Sequence, residues 1–250
     1  RDRLYALSPR TLTTLGAISS ETWPVMLAPW VLLPFLRPGR LCWRDAAPSV
    51  VAVACMGAVN ATATLAACLP AGVILLWRRA GKAGLVWLAG CAAVSAWWIT
   101  PLLILGRYAP PFTEFIESAG VTTRWLNMAE ILRGTTSWAP FVDTERVAGN
   151  ELATEPVFVL VTVAVAALGL VGLARLPREW AFMLLVGVAV LGTHATWYLD
   201  ALDGPLAALR NVHKFDPLVR IPLVLGVAAI AARVRLCLLY TSDAADEEDS

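Results

Sequence analysis

The run PVFVLVTVAVAALGLVGLA, residues 156–174, decides the class of this chain, because it carries no charge over a length that matches the core of a bilayer. A hydrocarbon core about 30 Å thick requires a helix of about 20 predominantly apolar residues. Similar runs lie on both sides of it, at residues 23–36, 48–77, 83–105, 180–197 and 217–232. The stretch 8–22 that precedes the first of them is predicted to be a polar link. The sequence therefore predicts an all-α fold, a polytopic bundle of transmembrane helices with short amphipathic helices in an outer loop.

The composition agrees with this class. Hydrophobic residues make up 58% of the chain and charged residues 16%, whereas average soluble domains carry about 25% charged residues. The cysteines show no metal-ligand spacing and are expected to be small buried hydrophobic residues. No cofactor is predicted, although a divalent metal ion is left open. Because nucleotide-binding motifs are absent from the sequence, no nucleic-acid partner is expected.

Both ends of the chain need separate treatment. The chain begins without Met, so we expect residues 1–235 to be an internal fragment of a larger transmembrane catalytic domain. Residues 236–250 break abruptly from the preceding pattern and end in a cluster of acidic residues. They resemble a translated sequencing adaptor and are expected to lie outside the fold. A genuine acidic tail is the alternative.

Basic residues predict the orientation of the helices in the plasma membrane. They collect in four links, Arg37–Arg44, Arg78–Lys82, Arg175–Arg178 and Arg233–Arg235. Cytoplasmic loops are enriched in Lys and Arg, so the polar links at about 106–155 and 198–216 are placed on the extracytoplasmic face. We expect the active face to be there.

The run 48–77 conflicts with this simple topology, since basic residues follow both of its ends. As one helix it would be about 45 Å long, which exceeds the bilayer core. Asn60 lies in the middle of the run. We therefore predict a break near Asn60, which gives two short helices or a re-entrant pair. A single tilted and kinked helix is the alternative.

The first part of the outer loop contains a pair of carboxylates. Residues 112–119 are predicted to form a short amphipathic helix that Gly120 ends. Glu114 and Glu117 lie three residues apart, on one face of such a helix. A carboxylate at the membrane surface can act as general base toward a sugar hydroxyl. The alternative is that both residues belong to a solvated helix face.

The second part of this loop predicts another helix. Asn127 is its expected N-cap, with Glu130 as the capping-box partner, and Gly134 is its expected end. Trp125 and Trp138 also lie in the loop. They are predicted either to stack on a sugar face or to enter the lipid headgroups.

The second outer link carries the motif RNVHKFD, residues 210–216. The side chains of Arg210, His213 and Lys214 can together receive a phosphate. Attraction to anionic lipid headgroups is the alternative. A lipid-phosphate sugar would suit both the membrane and these cations. His194, near the outer end of its run, is expected to be a packing residue.

Segments spread in order through the chain are similar to those of a known family: ALSPRTLTTLG (6–16), ISSET (18–22), GAVNA (57–61), PPFTEFIESAGVTT (110–123) and LRNVHK (209–214). They resemble the actinobacterial α-(1→3)-arabinofuranosyltransferases of cell-wall arabinan synthesis. The resemblance covers roughly residues 4–235. It implies a GT-C membrane glycosyltransferase, with decaprenyl-phosphoryl arabinose as donor and the arabinan of arabinogalactan or lipoarabinomannan as acceptor.

The resemblance also implies roles for individual residues. The reaction would be inverting, with a carboxylate that deprotonates the acceptor hydroxyl. Glu117 is then the first candidate for this carboxylate and Glu114 the second. The donor-phosphate candidates are Arg210, His213, Lys214 and Arg124. Enzymes of this class also carry an acidic residue in the first outer loop, and we expect that loop to precede Arg1.

Rival interpretations are another lipid-phosphate-sugar transferase, such as a mannosyltransferase, a non-catalytic membrane scaffold and a glycolipid flippase. A scaffold predicts that Glu117→Gln is silent. A flippase would need ionisable residues inside the apolar runs, and the sequence pattern places almost none there.

Overall fold

A computed structural model describes residues 2–15, 19–108, 117–142 and 147–248, with side chains at 4–14, 20–108, 117–142 and 147–233. Over these ranges the backbone is helical and has no strand. The predicted all-α class is therefore confirmed. Three segments, Gly81–Tyr108, Pro156–Leu173 and Val212–Arg233, are long and apolar enough to cross a membrane.

The helices, in chain order, are α1 (Asp2–Ala6), α2 (Pro9–Leu15), α3 (Ser19–Leu32), α4 (Ala46–Ala54), α5 (Ala61–Trp77), α6 (Gly81–Tyr108), α7 (Ala119–Thr123), α8 (Met128–Arg133), α9 (Ala139–Val142), α10 (Val147–Thr154), α11 (Pro156–Leu173), α12 (Arg178–Gly192), α13 (Thr196–Asp203) and α14 (Pro217–Glu248). Short 3-10 turns cover Leu33–Leu36, Trp43–Asp45, Ala207–Leu209 and Val212–Phe215. Helices α12 and α13 are bent by 76° and would form a fourth crossing if they make one span.

The predicted break in the run 48–77 is confirmed. Helix α4 ends at Ala54, and α5 begins at Ala61 after a turn in which Gly57 has a φ of 66°. Asn60 is the N-cap of α5, and its side-chain oxygen accepts a hydrogen bond from the backbone N–H of Ala63 at 3.0 Å. An N-cap of this kind satisfies a donor at the start of a helix, which explains why the break lies at Asn60.

The N-terminal polar stretch differs from its prediction. Residues 8–22 read as a polar link, but α2 and the start of α3 lie within them. The prediction was wrong because the polar side chains in α2 are buried and satisfied locally. Thr13 donates to the carbonyl of Pro9 at 2.9 Å, and Thr14 donates to that of Arg10 at 2.7 Å.

The outer-loop helices are partly as predicted. The boundaries of α8 are confirmed, since Asn127 caps it by accepting from the Glu130 backbone N–H at 3.1 Å, and Gly134 ends it with a φ of 90°. The capping box is incomplete, because the Glu130 carboxylate pairs with Arg133 at 2.6 Å and also bonds Thr135.

The predicted helix over residues 112–119 was wrong at its end. Glu117 and Ser118 are not helical, and α7 begins at Ala119, so Gly120 lies inside a helix and does not end one. Residues 109–116, which include Glu114, lie outside the described part of the chain. Helix α14 continues through residue 248, and the predicted separation of residues 236–250 from the fold stays a prediction.

Glycines bring α11 and α14 close together. A Cβ on Gly169 would lie 2.9 Å from the carbonyl oxygen of Leu223, and Gly172 meets the backbone of Gly226 even more closely. Small residues at membrane helix interfaces allow such close backbone approach. The pair α11–α14 is therefore built on glycine contacts.

Two buried arginines connect α8 to this helix pair. Arg133 donates to the hydroxyl of Thr162 in α11 at 2.8 Å and to the carbonyl of Ala153 at 2.9 Å. Arg220, near the start of α14, donates to the carbonyls of Ile131 at 3.0 Å and Leu132 at 2.8 Å. The last carbonyls of a helix lack intrahelical partners, and here the Arg220 guanidinium supplies the missing hydrogen-bond donors. The outer loop is thus fixed to the membrane helices.

The basic links behave as the topology predicted in one respect. Arg78 donates to the backbone carbonyl of Arg37 at 2.9 Å, so the links 37–44 and 78–82 lie side by side.

The contact between Gly134 and Arg220 gives a first prediction. A Cβ at Gly134 would lie 2.6 Å from Nη2 of Arg220, whose guanidinium is held by its other bonds, and the φ of 90° already disfavours a side chain. Positive φ alone costs about 1–2 kcal/mol. We expect Gly134→Ala to lower the free energy of unfolding by clearly more than this, measured as thermal unfolding in detergent.

Gly39→Ala is the matched control, because Gly39 has a φ of 93° and open space around its Cβ position. Equal destabilisation by the two variants would show that Arg220 yields freely and that this contact is not tight.

Candidate functional site

The two outer links lie against each other. Arg210, which is 3% exposed, donates from Nη1 to the backbone carbonyl of Glu117 at 2.8 Å. The indole N–H of Trp138 donates to the side-chain oxygen of Asn211 at 3.4 Å. The structure therefore brings together Glu117 and Arg210, which the sequence had proposed separately as base and phosphate ligand.

The Glu117 side chain is exposed, whereas the backbone around it is held. The backbone N–H of Ala119 donates to Asp203 at 2.6 Å, and the hydroxyl of Thr122 donates to the carbonyl of Arg210 at 3.1 Å. A carboxylate that is solvent-accessible on a fixed backbone is available to a hydroxyl group from outside.

His213 and Lys214, which follow Arg210 closely in the sequence, are buried and belong to a second group of polar residues. Nε2 of His213 is 3.2 Å from the Glu21 carboxylate, and the Lys214 ammonium is 3.6 Å from it. Arg10 forms a further ion pair with the same carboxylate. Lys214 also lies 3.5 Å from the side-chain oxygen of Asn60. We call Arg10, Glu21, His213 and Lys214 the buried ion cluster.

The electrostatics of this cluster follow from its composition. Burial of Glu21 opposes its ionisation, but Arg10, His213 and Lys214 outweigh this effect and hold the pKa of the Glu21 carboxyl well below its usual range. One carboxylate faces two side chains that are normally cationic, together with an imidazole. The cluster consequently has more cationic than anionic groups.

Some buried polar atoms of the two outer links have no hydrogen-bond partner within the described part of the chain. They include Nη2 of Arg210, Nδ1 of His213 and the hydroxyl oxygen of Thr136. Buried polar groups are nearly always paired. Arg210 and His213 therefore each have a donor or acceptor available for a bound group.

The expectation that the apolar runs almost lack ionisable residues was wrong. His213, Lys214, Asp216 and Arg220 are buried at the start of the crossing Val212–Arg233. Asp216 and Arg220 pair at 3.0 Å. The sequence pattern began this run at Pro217 and so included Arg220 alone, because it did not show that the turn 212–215 continues into the helix. The absence of such residues consequently no longer argues against a flippase.

The remaining candidates lie at the edge of the site. Arg124 is exposed and lies 5.5 Å from the ring centroid of Trp125, which stacks on Phe141 at 5.1 Å. The Trp125 ring thus already has two neighbours, whereas Trp138 is half-buried. The prediction for His194 is confirmed only in part: its Nε2 lies 2.6 Å from the carbonyl of Leu126, but the residue is exposed and is not packed in the core. Among the described residues, no group of His, Cys, Asp and Glu side chains is placed to hold a metal ion.

Sequence reasoning missed Glu21 and Arg10 as members of the site. His213 and Glu21 are 192 positions apart in the chain, and no local spacing reports such a contact. Arg10 lies in the segment 6–16 and Glu21 in the segment 18–22, and both segments carried the family resemblance. Those segments were the available signal.

The bundle of apolar helices is the fold of a GT-C membrane domain, and a family model for such a domain matches residues 2–249. The model is that of the α-(1→3)-arabinofuranosyltransferase N-terminal GT-C domain, and this chain belongs to that family. The family resemblance drawn from the sequence is therefore confirmed.

Relatives and solved structures agree with this assignment. The chain is 47% identical to the α-(1→3)-arabinofuranosyltransferase of Mycolicibacterium smegmatis and 46% identical to that of Mycobacterium tuberculosis, each over 93% of its length. It spans 18% of the length of those relatives. A cryo-EM structure of the mycobacterial arabinofuranosyltransferase AftD matches 90% of this chain and 15% of its own, with a TM-score of 0.64 and 41% identity. A point-mutant form of that enzyme matches with a TM-score of 0.60.

The buried ion cluster gives a second prediction. Glu21→Gln removes the carboxylate and leaves the cationic groups of Arg10 and Lys214 buried without their shared counter-charge. Breaking a buried ion pair in this way costs about 3–5 kcal/mol. We expect a large drop in thermal stability in detergent, and Lys214→Met added to Glu21→Gln should restore part of it.

Glu151→Gln is the control, since Glu151 is exposed. A Glu21→Gln variant as stable as this control would contradict the assignment of Glu21 as the counter-charge of the cluster.

Proposed function

We propose that this domain is the catalytic part of an inverting arabinofuranosyltransferase. Its donor would be decaprenyl-phosphoryl arabinose and its acceptor an arabinan of the cell wall, arabinogalactan or lipoarabinomannan. The observation that carries the proposal is the exposed Glu117 carboxylate, held on a backbone that bonds the buried guanidinium of Arg210. Membership of the α-(1→3)-arabinofuranosyltransferase family supports the sugar and the linkage chemistry.

In this proposal Glu117 acts as the general base. Its carboxylate takes the proton of an acceptor hydroxyl, and the oxygen attacks the anomeric carbon of the donor arabinose. The bond between that carbon and the phosphate oxygen breaks as the new glycosidic bond forms. The lipid phosphate leaves with the electron pair, and the configuration at the anomeric carbon inverts. Glu114 is the second candidate for the base.

The donor phosphate would be bound by the cations of the second outer link. Arg210 has a buried Nη2 without a partner, and His213 has an unpartnered Nδ1. Lys214 belongs to a cluster in which cationic groups outnumber the single carboxylate. An anion would reduce this imbalance, and charge-assisted hydrogen bonds to phosphate are strong. Arg124, which is exposed, is the peripheral candidate.

The acceptor would lie on the exposed side of Glu117. Trp138 is the better placed of the two aromatic candidates for a sugar, because the Trp125 ring already stacks on Phe141. In this arrangement, the acceptor sugar contacts Trp138 while the hydroxyl that reacts approaches Glu117.

A transfer assay tests the proposal. Residues 4–235 of this chain replace the matching segment of the Mycolicibacterium smegmatis relative, and transfer of labelled arabinose from decaprenyl-phosphoryl arabinose to a synthetic arabinan is measured in membranes. We expect Glu117→Gln to lower the rate by about 10²–10⁴-fold at equal protein level, the range typical of a general base.

Glu155→Gln, which changes another exposed carboxylate, should keep the full rate. A silent Glu117→Gln variant with an active parent would rule out Glu117 as the base. A parent that transfers from a mannosyl lipid and not from the arabinosyl lipid would support the rival transferase. Absence of transfer from both lipids, with the protein folded, would favour the scaffold or flippase.

A further inference from the structure

We propose that Asp203 and Arg210 are positioning residues that fix the backbone directly after the Cα of Glu117, at its carbonyl and at the N–H of Ala119, and thereby set the place of its carboxylate. We call this pair the backbone clamp. The inference rests on the proposed function, since it assigns Glu117 the role of base. It adds Asp203, a residue outside the earlier candidates, and gives Arg210 a second role.

The first half of the clamp acts on Glu117 directly. Nη1 of Arg210 donates to the Glu117 carbonyl at 2.8 Å. The Arg210 side chain is 4% exposed, so this bond is shielded from competing water. The backbone of Arg210 is in turn held by Thr122, whose hydroxyl donates to the Arg210 carbonyl at 3.1 Å. Arg210 is therefore a rigid donor.

The second half acts two residues further along the chain. Asp203, the last residue of α13, accepts a hydrogen bond from the backbone N–H of Ala119 at 2.6 Å. Ala119 is the first residue of α7, and the preceding Ser118 makes no capping hydrogen bond with its side chain. Unpaired N–H groups at a helix start need an acceptor. Asp203 supplies it from another helix.

The two halves are also connected to each other. The Asp203 carboxylate lies 3.9 Å from Nη1 of Arg210. The carbonyl of Glu117 and the N–H of Ala119 are therefore held by two side chains that attract one another. The Glu117 side chain leaves the backbone at the Cα next to the first of these anchors and is exposed.

This arrangement has a kinetic consequence. A general base must be within hydrogen-bond reach of the proton that it removes, and a displacement of about 1 Å can cost about 10²-fold in rate. Loss of one anchor would leave the Glu117 carboxylate chemically intact but poorly placed. The turnover number should fall, while the affinity for the donor lipid should change little.

The test uses the chimeric full-length enzyme with Asp203→Ala and Asp203→Asn. We expect Asp203→Ala to lower kcat by about 10–100-fold with an unchanged KM for the donor. Asp203→Asn keeps a side-chain oxygen for the Ala119 N–H and should recover most of the rate. Asp200→Ala, an exposed residue of the same helix, is the control and should leave kcat unchanged.

The decisive comparison repeats Asp203→Ala in a Glu117→Gln background. If the clamp acts through Glu117, the double variant should be no slower than Glu117→Gln alone. An equal further loss in that background, or a loss accompanied by a matching fall in thermal stability, would overturn the clamp. Loss of activity in Glu117→Gln with a silent Asp203→Ala overturns the clamp alone. A silent Glu117→Gln overturns the clamp together with the proposed base.

Discussion

Pairing of the buried Glu21 carboxylate is the interaction on which the site depends. Burying an unpaired charge in a medium of low dielectric has a large free-energy cost. Glu21 and the cations around it therefore stabilise each other. Arg10 comes from α2, Glu21 from α3, and His213 and Lys214 from the turn before α14. The pairing thus joins the N-terminal helices to a segment about 190 residues later.

The position of the second outer link follows from this pairing. Arg210 lies three residues before His213, so its direction is limited by the cluster on one side and by Thr122 on the other. Arg210 in turn holds the carbonyl of Glu117. A buried carboxylate that organises cations and an exposed carboxylate that can meet a substrate are therefore two ends of one connected network. The first sets geometry and charge, and the second would perform the proton transfer.

The sequence predicted those parts of the fold that have local causes. The all-α class follows from the length of the apolar runs, the break at Asn60 from its capping ability, and the limits of α8 from Asn127 and Gly134. The adjacency of Glu117 and Arg210 agrees with the placement of both outer links on one face. These features require only a few neighbouring residues to be read correctly.

Other features were out of reach because their causes are tertiary. The Glu21–His213 contact joins residues 192 positions apart. Helix α2 formed where a link was predicted, because its threonines bond to carbonyls one turn earlier and are buried by the bundle. Helix α7 begins at Ala119, whose backbone N–H donates to Asp203. Gly120 is therefore the second residue of a helix and does not end one.

The most direct test of this account is a cryo-EM structure of the full-length chimera with decaprenyl phosphate. The account predicts that the lipid phosphate lies within hydrogen-bond distance of Arg210 and His213, on the side that the Glu117 carboxylate can reach, with the Glu21 ion pairs intact. A phosphate bound away from the second outer link, with Nη2 of Arg210 and Nδ1 of His213 still unpartnered, would contradict it.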